Sequence, residues 1–522
     1  MNRSSESDIR IRIQNDRQVI TIRCEGGLRL RTAAASQDLP QARQLECQLQ
    51  KCKPAGGDFW FKHTLAATEQ ELQQQAAELE AVGVTTKVIS YGSDDSLHHL
   101  REPLFLLLAW PFADEAEKHT AREEYYTRLP QHAVGEFSSA DDYLFVAKSS
   151  AASSWLARAE GWEMMLSESL WIEPLRKETP LQVEQVRIGI DFHWDHSETL
   201  TYAGALELFI NHQGTLSLLN EIDLEEYLAS VNSSEMTADS PLELLKAQTI
   251  AARSTLLATR GRHHWGEPFD LCSDDHCQCY HGLKRIQPAS EQAMSETAGQ
   301  LLVASGSVVD ARYSKSCGGI VEAYRHVWEE RDIPTLVSFQ DGDNNVPFPA
   351  NTEEKARRLI DGDYNSNCNT GQLQLPENLQ YADNCFRWEL FYANRELTSI
   401  VNGNLGTRWK RIDNLVPLER GDSGRIKRLQ IEAGDQKRII HRELTIRRIL
   451  STSHLWSSLF YVIREGDGFR LRGAGWGHGV GLCQLGAAAM ALRGASYREI
   501  LSFYYPGSEL QELHLLQPNA TG

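Results

Sequence analysis

Between Arg472 and Gly494 the chain reads RGAGWGHGVGLCQLGAAAMALRG, with glycine at 473, 475, 477, 479 and 481. No other stretch restricts the fold as strongly. Glycine at every second position lets another backbone or a ligand approach closely and opens φ values closed to other residues. If the segment is extended, Trp476, His478 and Val480 share one side. An indole face suits a sugar ring, and a histidine there can bond a hydroxyl or tune a carboxyl. The rival is a phosphate loop, but Gly-Lys-Ser/Thr is missing. Packing alone explains one such glycine easily, but not five with a histidine among them. Gln484 and Gly486 then open a helix of small residues.

Two helices precede it. In NEIDLEEYLASVNSSEM, Asp223 is an N-cap and the apolar stripe runs Leu224, Leu228, Val231. Four further residues reach Glu235, so a carboxyl falls on the buried face, while Glu225 and Glu226 can face water. Desolvation would raise its pKa toward that of a general acid. On pattern alone a solvated glutamate at a frayed helix end is the favoured reading. In SPLELLKAQTIAARSTLLATRGR, Ser240, Pro241 and Glu243 form a strong helix start, and Leu244, Ala247, Ala251 and Ser254 give a mostly small face. Arg253 lies among apolar neighbours and needs an anionic or carbonyl partner. Orienting a glutamate, holding substrate and satisfying backbone carbonyls are equally consistent with the spacing.

The third segment is HHWGEPFDLCSDDHCQCYHG, residues 263–282. Three of the chain's ten cysteines crowd here beside histidines, which favours zinc over disulfides. Cys272, His276 and Cys277, with His264 upstream, make the expected ligand set; buried thiols with surface histidines are the alternative. The spacing is neither that of a zinc finger nor that of a nucleobase deaminase. The scattered cysteines read as small buried hydrophobes.

Taken in order, Ser234-Glu235-Met236, Lys246-Ala247-Gln248 with Ala252-Arg253-Ser254, FDLCSDDHCQCY, Tyr313 with Ser316-Cys317-Gly318-Gly319, and GWGHGVGLCQLGAAAMA followed by Tyr505-Pro506-Gly507 resemble the stage II sporulation protein D family (SpoIID/LytB domain). The likeness covers about residues 183–515. It implies a lytic transglycosylase that cuts denuded peptidoglycan strands between N-acetylmuramic acid and N-acetylglucosamine, leaving a 1,6-anhydro end. It carries Glu235 onto the catalytic acid/base and Arg253 onto a functional arginine. Trp476, His478, Gln484 and Tyr313 become substrate-binding residues, and Cys272, His276, Cys277 and His264 the ligands of a structural zinc. Relatives named for amidase enhancement imply another function, a non-catalytic glycan-binding activator of a cell-wall amidase. A zinc hydrolase with an open coordination site is the third reading.

The expected fold class is α+β, with strands and helices mixed in the catalytic domain. The 522 residues are too many for one unit. The expected division is an N-terminal α+β module at 1–145, a linker at 146–180, a SpoIID/LytB-like catalytic domain at 181–515 with an irregular insertion near 340–460, and a tail at 516–522. Within the first module, Phe59–Phe61, a helix capped by Thr68, and a strand from Val84 to Ser90 are followed by a second strand–helix–strand set ending at Ala133–Phe137. That order suggests a ferredoxin-like sandwich and resembles the sporulation-related repeat that binds glycan strands.

The net charge is −18 without a long Lys/Arg run, so duplex nucleic acid is not an expected partner. A neutral ligand, or one that meets a local basic patch, fits better. No window of about 18 apolar residues predicts a transmembrane segment. The start MNRSSESDIRIRIQND lacks the apolar core of a signal peptide, so a cytoplasmic location stays open, although the resemblance places the substrate in the cell envelope.

Overall fold

The computed structural model describes residues 8–92, 100–128, 143–190, 195–236, 240–274, 277–284, 286–342, 345–371, 373 and 385–516. The architecture is α+β, as expected. The alternation in IRIRI and VITIR places Ile9, Ile11 and Ile13 with Ile20 and Ile22 in one core, because successive strand residues point to opposite faces. That core lies between a seven-stranded and a six-stranded sheet. In the first sheet, Asp8–Arg17 sits between Leu216–Asp223, antiparallel, and Leu271–Cys272, parallel. In the second, Val19–Arg23 lies between Gln44–Lys51 and Leu181–Ile188.

This pairing corrects the expected boundaries. The strands between Asp8 and Lys51 belong to the same sandwich as those between Leu181 and Asp223, and 146–180 is not a linker: it supplies Ser154–Ala159, Trp162–Leu166 and Leu170–Pro174. The α+β module is narrower and is inserted into this sandwich. Its strands Gly57–Ala66, Thr86–Ser90, Phe105–Phe112 and Tyr143–Ala147 form a separate sheet in the order second, third, first, fourth, which is the ferredoxin-like arrangement. Thr68 accepts from the Glu71 N–H at 3.4 Å and caps helix Glu69–Ala81, whose Leu72 and Leu79 are buried. The strand expected at Ala133–Phe137 falls outside the described residues. Where the module leaves the sandwich, the Lys148 N–H bonds the Gly56 carbonyl at 2.7 Å, so its two ends meet.

A chain cut to residues 181–522 is therefore expected to lose its cooperative melt, because every partner strand before 181 is gone. Replacing residues 57–147 with a short Gly/Ser linker should leave the rest folded, as circular dichroism and thermal melts would show. A well-folded 181–522 fragment would contradict this pairing.

Buried helices Leu224–Glu235 and Leu242–Thr259 follow the sandwich. Asp223 caps the first through the N–H groups of Glu225 and Glu226. The expected Ser240 cap is not made; Pro241 holds the cap position without a side-chain bond. The irregular insertion expected near 340–460 is ordered where described. Strands Arg387–Ala393, Phe460–Glu465 and Gly468–Ala474 form one sheet, and Asn414–Arg420, Ile426–Ala433 and Gln436–His441 another. Trp388, Leu397, Ile412, Leu429, Ile446 and Leu471 fill their shared core. Near the C-terminus, Ser496 and Glu499 make the expected capping box of helix Tyr497–Tyr504.

Candidate active site

Glu235, Tyr313, Trp476, His478 and Gln484 line one cleft of about 2290 Å³, together with His264, Cys272 and Cys277. Glu235 extends the Leu224–Leu228–Val231 stripe to the helix end, where it is half-buried, and its Oε1 accepts from the Cys279 N–H at 3.2 Å. Tyr313 comes from a short strand paired in parallel with Leu482–Cys483. Burial, then the nearby Glu235 carboxyl, pushes the Tyr313 phenol well up, so it stays protonated. Trp476 is held by the reciprocal bonds of its N–H and C=O with Ser316, at 2.8 and 3.0 Å. Its ring stacks on Trp456, centroids 5.2 Å apart.

The glycine segment is not extended as expected. Strand Gly468–Ala474 stops before Gly475, and Gly475, Gly477, Gly479 and Gly481 all take left-handed φ. Two of them are closely pressed: a Cβ on Gly481 would lie 2.0 Å from the Arg312 carbonyl oxygen, and one on Gly479 2.4 Å from the Arg425 guanidinium. Trp476 and His478 nevertheless both reach the cleft. His478 Nδ1 accepts from the Val480 N–H at 3.0 Å, which makes Nε2 the protonated nitrogen of the neutral ring. Burial, followed by Arg312, Arg425 and Arg447, lowers its pKa to about 3. It is neutral across roughly pH 5–8 and therefore serves as a hydrogen-bonding group, not a cation.

Arg253 does not line this cleft. It is fully buried: Nε donates to Glu225 Oε1 at 2.9 Å, Nη2 bonds Glu225 Oε2, and Nη1 donates to the Gln300 carbonyl at 3.1 Å. Glu225, expected to face water, also accepts from the Gly299 N–H at 3.1 Å. The arginine thus anchors the start of the helix whose end carries Glu235.

Among the expected zinc ligands, His264, Cys272 and Cys277 come together, one donor atom from each within 4.8 Å of the others. His264 Nε2 lies 3.2 Å from Cys277 Sγ. His276 falls outside the described residues. Gln484 is buried and its Nε2 faces Gln248 Oε1 at 3.4 Å.

Sequence reading missed Trp328, whose ring lies 4.9 Å from that of His478 and lines the same cleft, and Gln278, which accepts from the Tyr227 hydroxyl at 2.9 Å. Trp328 sits outside regular structure, where no periodicity marks it. The other missed feature is charge. Lys62, Lys118 and Arg122 of the inserted module and Arg438, Arg442 and Arg448 of the 387–474 region all line the cleft of this acidic chain.

Residues 212–303 match the family described as Stage II sporulation protein, and residues 322–481 match one described as Domain of unknown function (DUF8618). An uncharacterized protein of Brachyspira hyodysenteriae is 28% identical over 63% of this chain and 79% of its own length. The amidase enhancer of Bacillus subtilis (strain 168) is 26% identical over 54% of this chain, which spans only 40% of that protein. The stage II sporulation protein D of the same organism is 23% identical over 56% of this chain and 76% of its own length.

Proposed function

From the premise that this chain belongs to the stage II sporulation protein D family, we propose that it is a lytic transglycosylase acting on denuded peptidoglycan strands in the cell envelope. The observation that carries this reading is Glu235, a half-buried carboxyl set in one cleft with Tyr313, Trp476 and Gln484. Its protonated form donates to the glycosidic oxygen between N-acetylmuramic acid and N-acetylglucosamine. The resulting carboxylate then takes the proton of the muramic acid C6 hydroxyl, which attacks C1 and closes the 1,6-anhydro ring. One carboxyl acts twice, where a hydrolase would divide the work between two. Trp328 and Trp476 offer faces for sugar rings, and neutral His478 lies beside them as a hydrogen-bonding group. The basic walls suit the lactyl carboxylates that a strand stripped of its peptides leaves exposed. The inserted module supplies part of those walls, which supports a role in holding the strand.

His264, Cys272 and Cys277 fit a zinc ion, because two thiols and an imidazole converge at ligand spacing. Zinc there would hold His264 and Cys277 to Cys272, which pairs with Arg12 of strand Asp8–Arg17, close in sequence to Cys279, whose N–H bonds Glu235. Similarity to the amidase enhancer supports a second reading, in which the chain binds glycan and activates a partner amidase without cutting. Among the described residues no helix is long and apolar enough to cross a membrane.

Mass spectrometry of denuded glycan after incubation with the full chain separates these readings. A lytic product is lighter than the hydrolytic one by one water and takes no label from ¹⁸O-water at the new muramic acid end. Label there would mean hydrolysis. Retained binding without cleavage would leave the activator reading.

A further inference from the structure

Cys317, Cys368 and Cys483 carry no metal-binding spacing in the sequence, and they read there as packing residues. In the fold they converge with Asp341, and all four are 0% exposed. One donor atom from each lies within 4.8 Å of the other three. We propose that Cys317, Asp341, Cys368 and Cys483 form a closed structural zinc site, distinct from His264–Cys272–Cys277.

The geometry is that of ligands around an ion. Cys317 Sγ lies 3.5 Å from Cys368 Sγ and 3.2 Å from Asp341 Oδ2. A tetrahedral site with Zn–S bonds of about 2.3 Å places its sulfurs roughly 3.8 Å apart, whereas a disulfide holds them at about 2.05 Å. The outer contacts orient the ligands as metal sites require. Tyr504 donates its hydroxyl to Asp341 Oδ1 at 2.8 Å, and Asn367 Nδ2 does so at 3.4 Å, which turns Oδ2 toward the thiols. The Cys317 N–H donates to Cys483 Sγ at 3.2 Å. Three soft thiolates and one carboxylate in a closed set of four select zinc over magnesium or calcium. Charge is compatible with the same assignment, since apart from the cysteine side chains the donors to Asp341 are a phenol, an amide and a backbone N–H, none of them a cation.

The ligands come from four separate points of the chain, so the ion would cross-link Asp341 and Cys368 to Cys317 and Cys483, the near neighbours of residues tied to the cleft. Cys317 follows Ser316, which holds Trp476, and Cys483 precedes Gln484. The site would brace both substrate-facing residues from behind.

Elemental analysis of the full chain, purified with zinc and dialysed against a weak chelator, tests this. The expected content is about two zinc ions per chain, one for each of the two sites. Cys368→Ser should lose about one, Cys277→Ser the other, and the combined variant both. In the Cys277→Ser background, cobalt should still give sulfur-to-metal charge-transfer absorption, which Cys368→Ser abolishes. Should Cys368→Ser fail to fold, Asp341→Asn keeps the size and the Tyr504 contact and is expected to weaken zinc binding by at least the roughly 10–100-fold that loss of an outer partner of a metal ligand costs. Zinc content unchanged by Cys368→Ser, or affinity unchanged by Asp341→Asn, would overturn the proposal. So would an intact mass showing a Cys317–Cys368 disulfide in the native chain. One zinc per chain, lost with Cys368→Ser and kept in Cys277→Ser, would uphold this site and remove the other.

Discussion

Glu235→Gln is expected to reduce glycan cleavage by roughly 10²–10⁴-fold, the usual contribution of a positioned general acid/base, and by more if the same carboxyl acts in both proton transfers. The change keeps the side chain's length and leaves an oxygen to accept the Cys279 N–H, which now meets Oε1 at 3.2 Å. Stability should therefore change by no more than about 1 kcal/mol, the net worth of one ordinary hydrogen bond. Binding of denuded glycan, carried by the indoles and the basic walls, should persist. What disappears is the proton that an amide cannot donate and recover. Turnover and binding measured side by side on wild type and variant decide the matter. Full turnover in Glu235→Gln would remove the catalyst from the proposed mechanism. A loss of both turnover and melting temperature would instead mark Glu235 as part of the packing of its helix end.

The placement of Glu235 could be read from the chain because it depends on local periodicity. An N-cap at Asp223 and a stripe spaced by four and three fix which face the twelfth residue of the helix presents. The same local rules gave the Thr68 cap, the order of the inserted module and the Ser496–Glu499 box. Pairings across long separations were not legible. Nothing in IRIRI shows that Asp8–Arg17 pairs with Leu216–Asp223 two hundred residues later, so the first strands looked like a separate module. Alternation in the glycine segment suggested an extended strand, whereas left-handed φ at Gly475 through Gly481 depends on neighbours such as the Arg312 carbonyl. Cys317, Cys368 and Cys483 belong to the same class: their meeting is tertiary, and no short spacing records it.

Arg253 is where a resemblance and a structure give different roles to one residue, and its substitution should have the largest effect on stability. Removing one partner of a buried ion pair costs about 3–5 kcal/mol, because the other charge stays behind without its hydrogen bonds. Arg253→Met would strand the Glu225 carboxylate and the Gln300 carbonyl. At roughly 2–4 °C per kcal/mol for a unit of this size, the melting temperature should fall by about 10 °C. Arg253→Lys should restore little, since a single ammonium cannot meet both carboxylate oxygens and the carbonyl as the planar guanidinium does. Adding Glu225→Gln to Arg253→Met should recover part of the loss, which a double-mutant cycle would measure as coupling between the two sites. Activity should decline with the stability of the helix if Arg253, which holds the end opposite Glu235, acts on the reaction only through that helix. The discriminating variant is Arg253→Lys, assayed well below its melting temperature. If Arg253 is a positioning residue, turnover there should track the fraction folded and the pH profile should keep its shape. If turnover collapses while the melting temperature holds, the guanidinium must reach the substrate in a state that differs from the one described here.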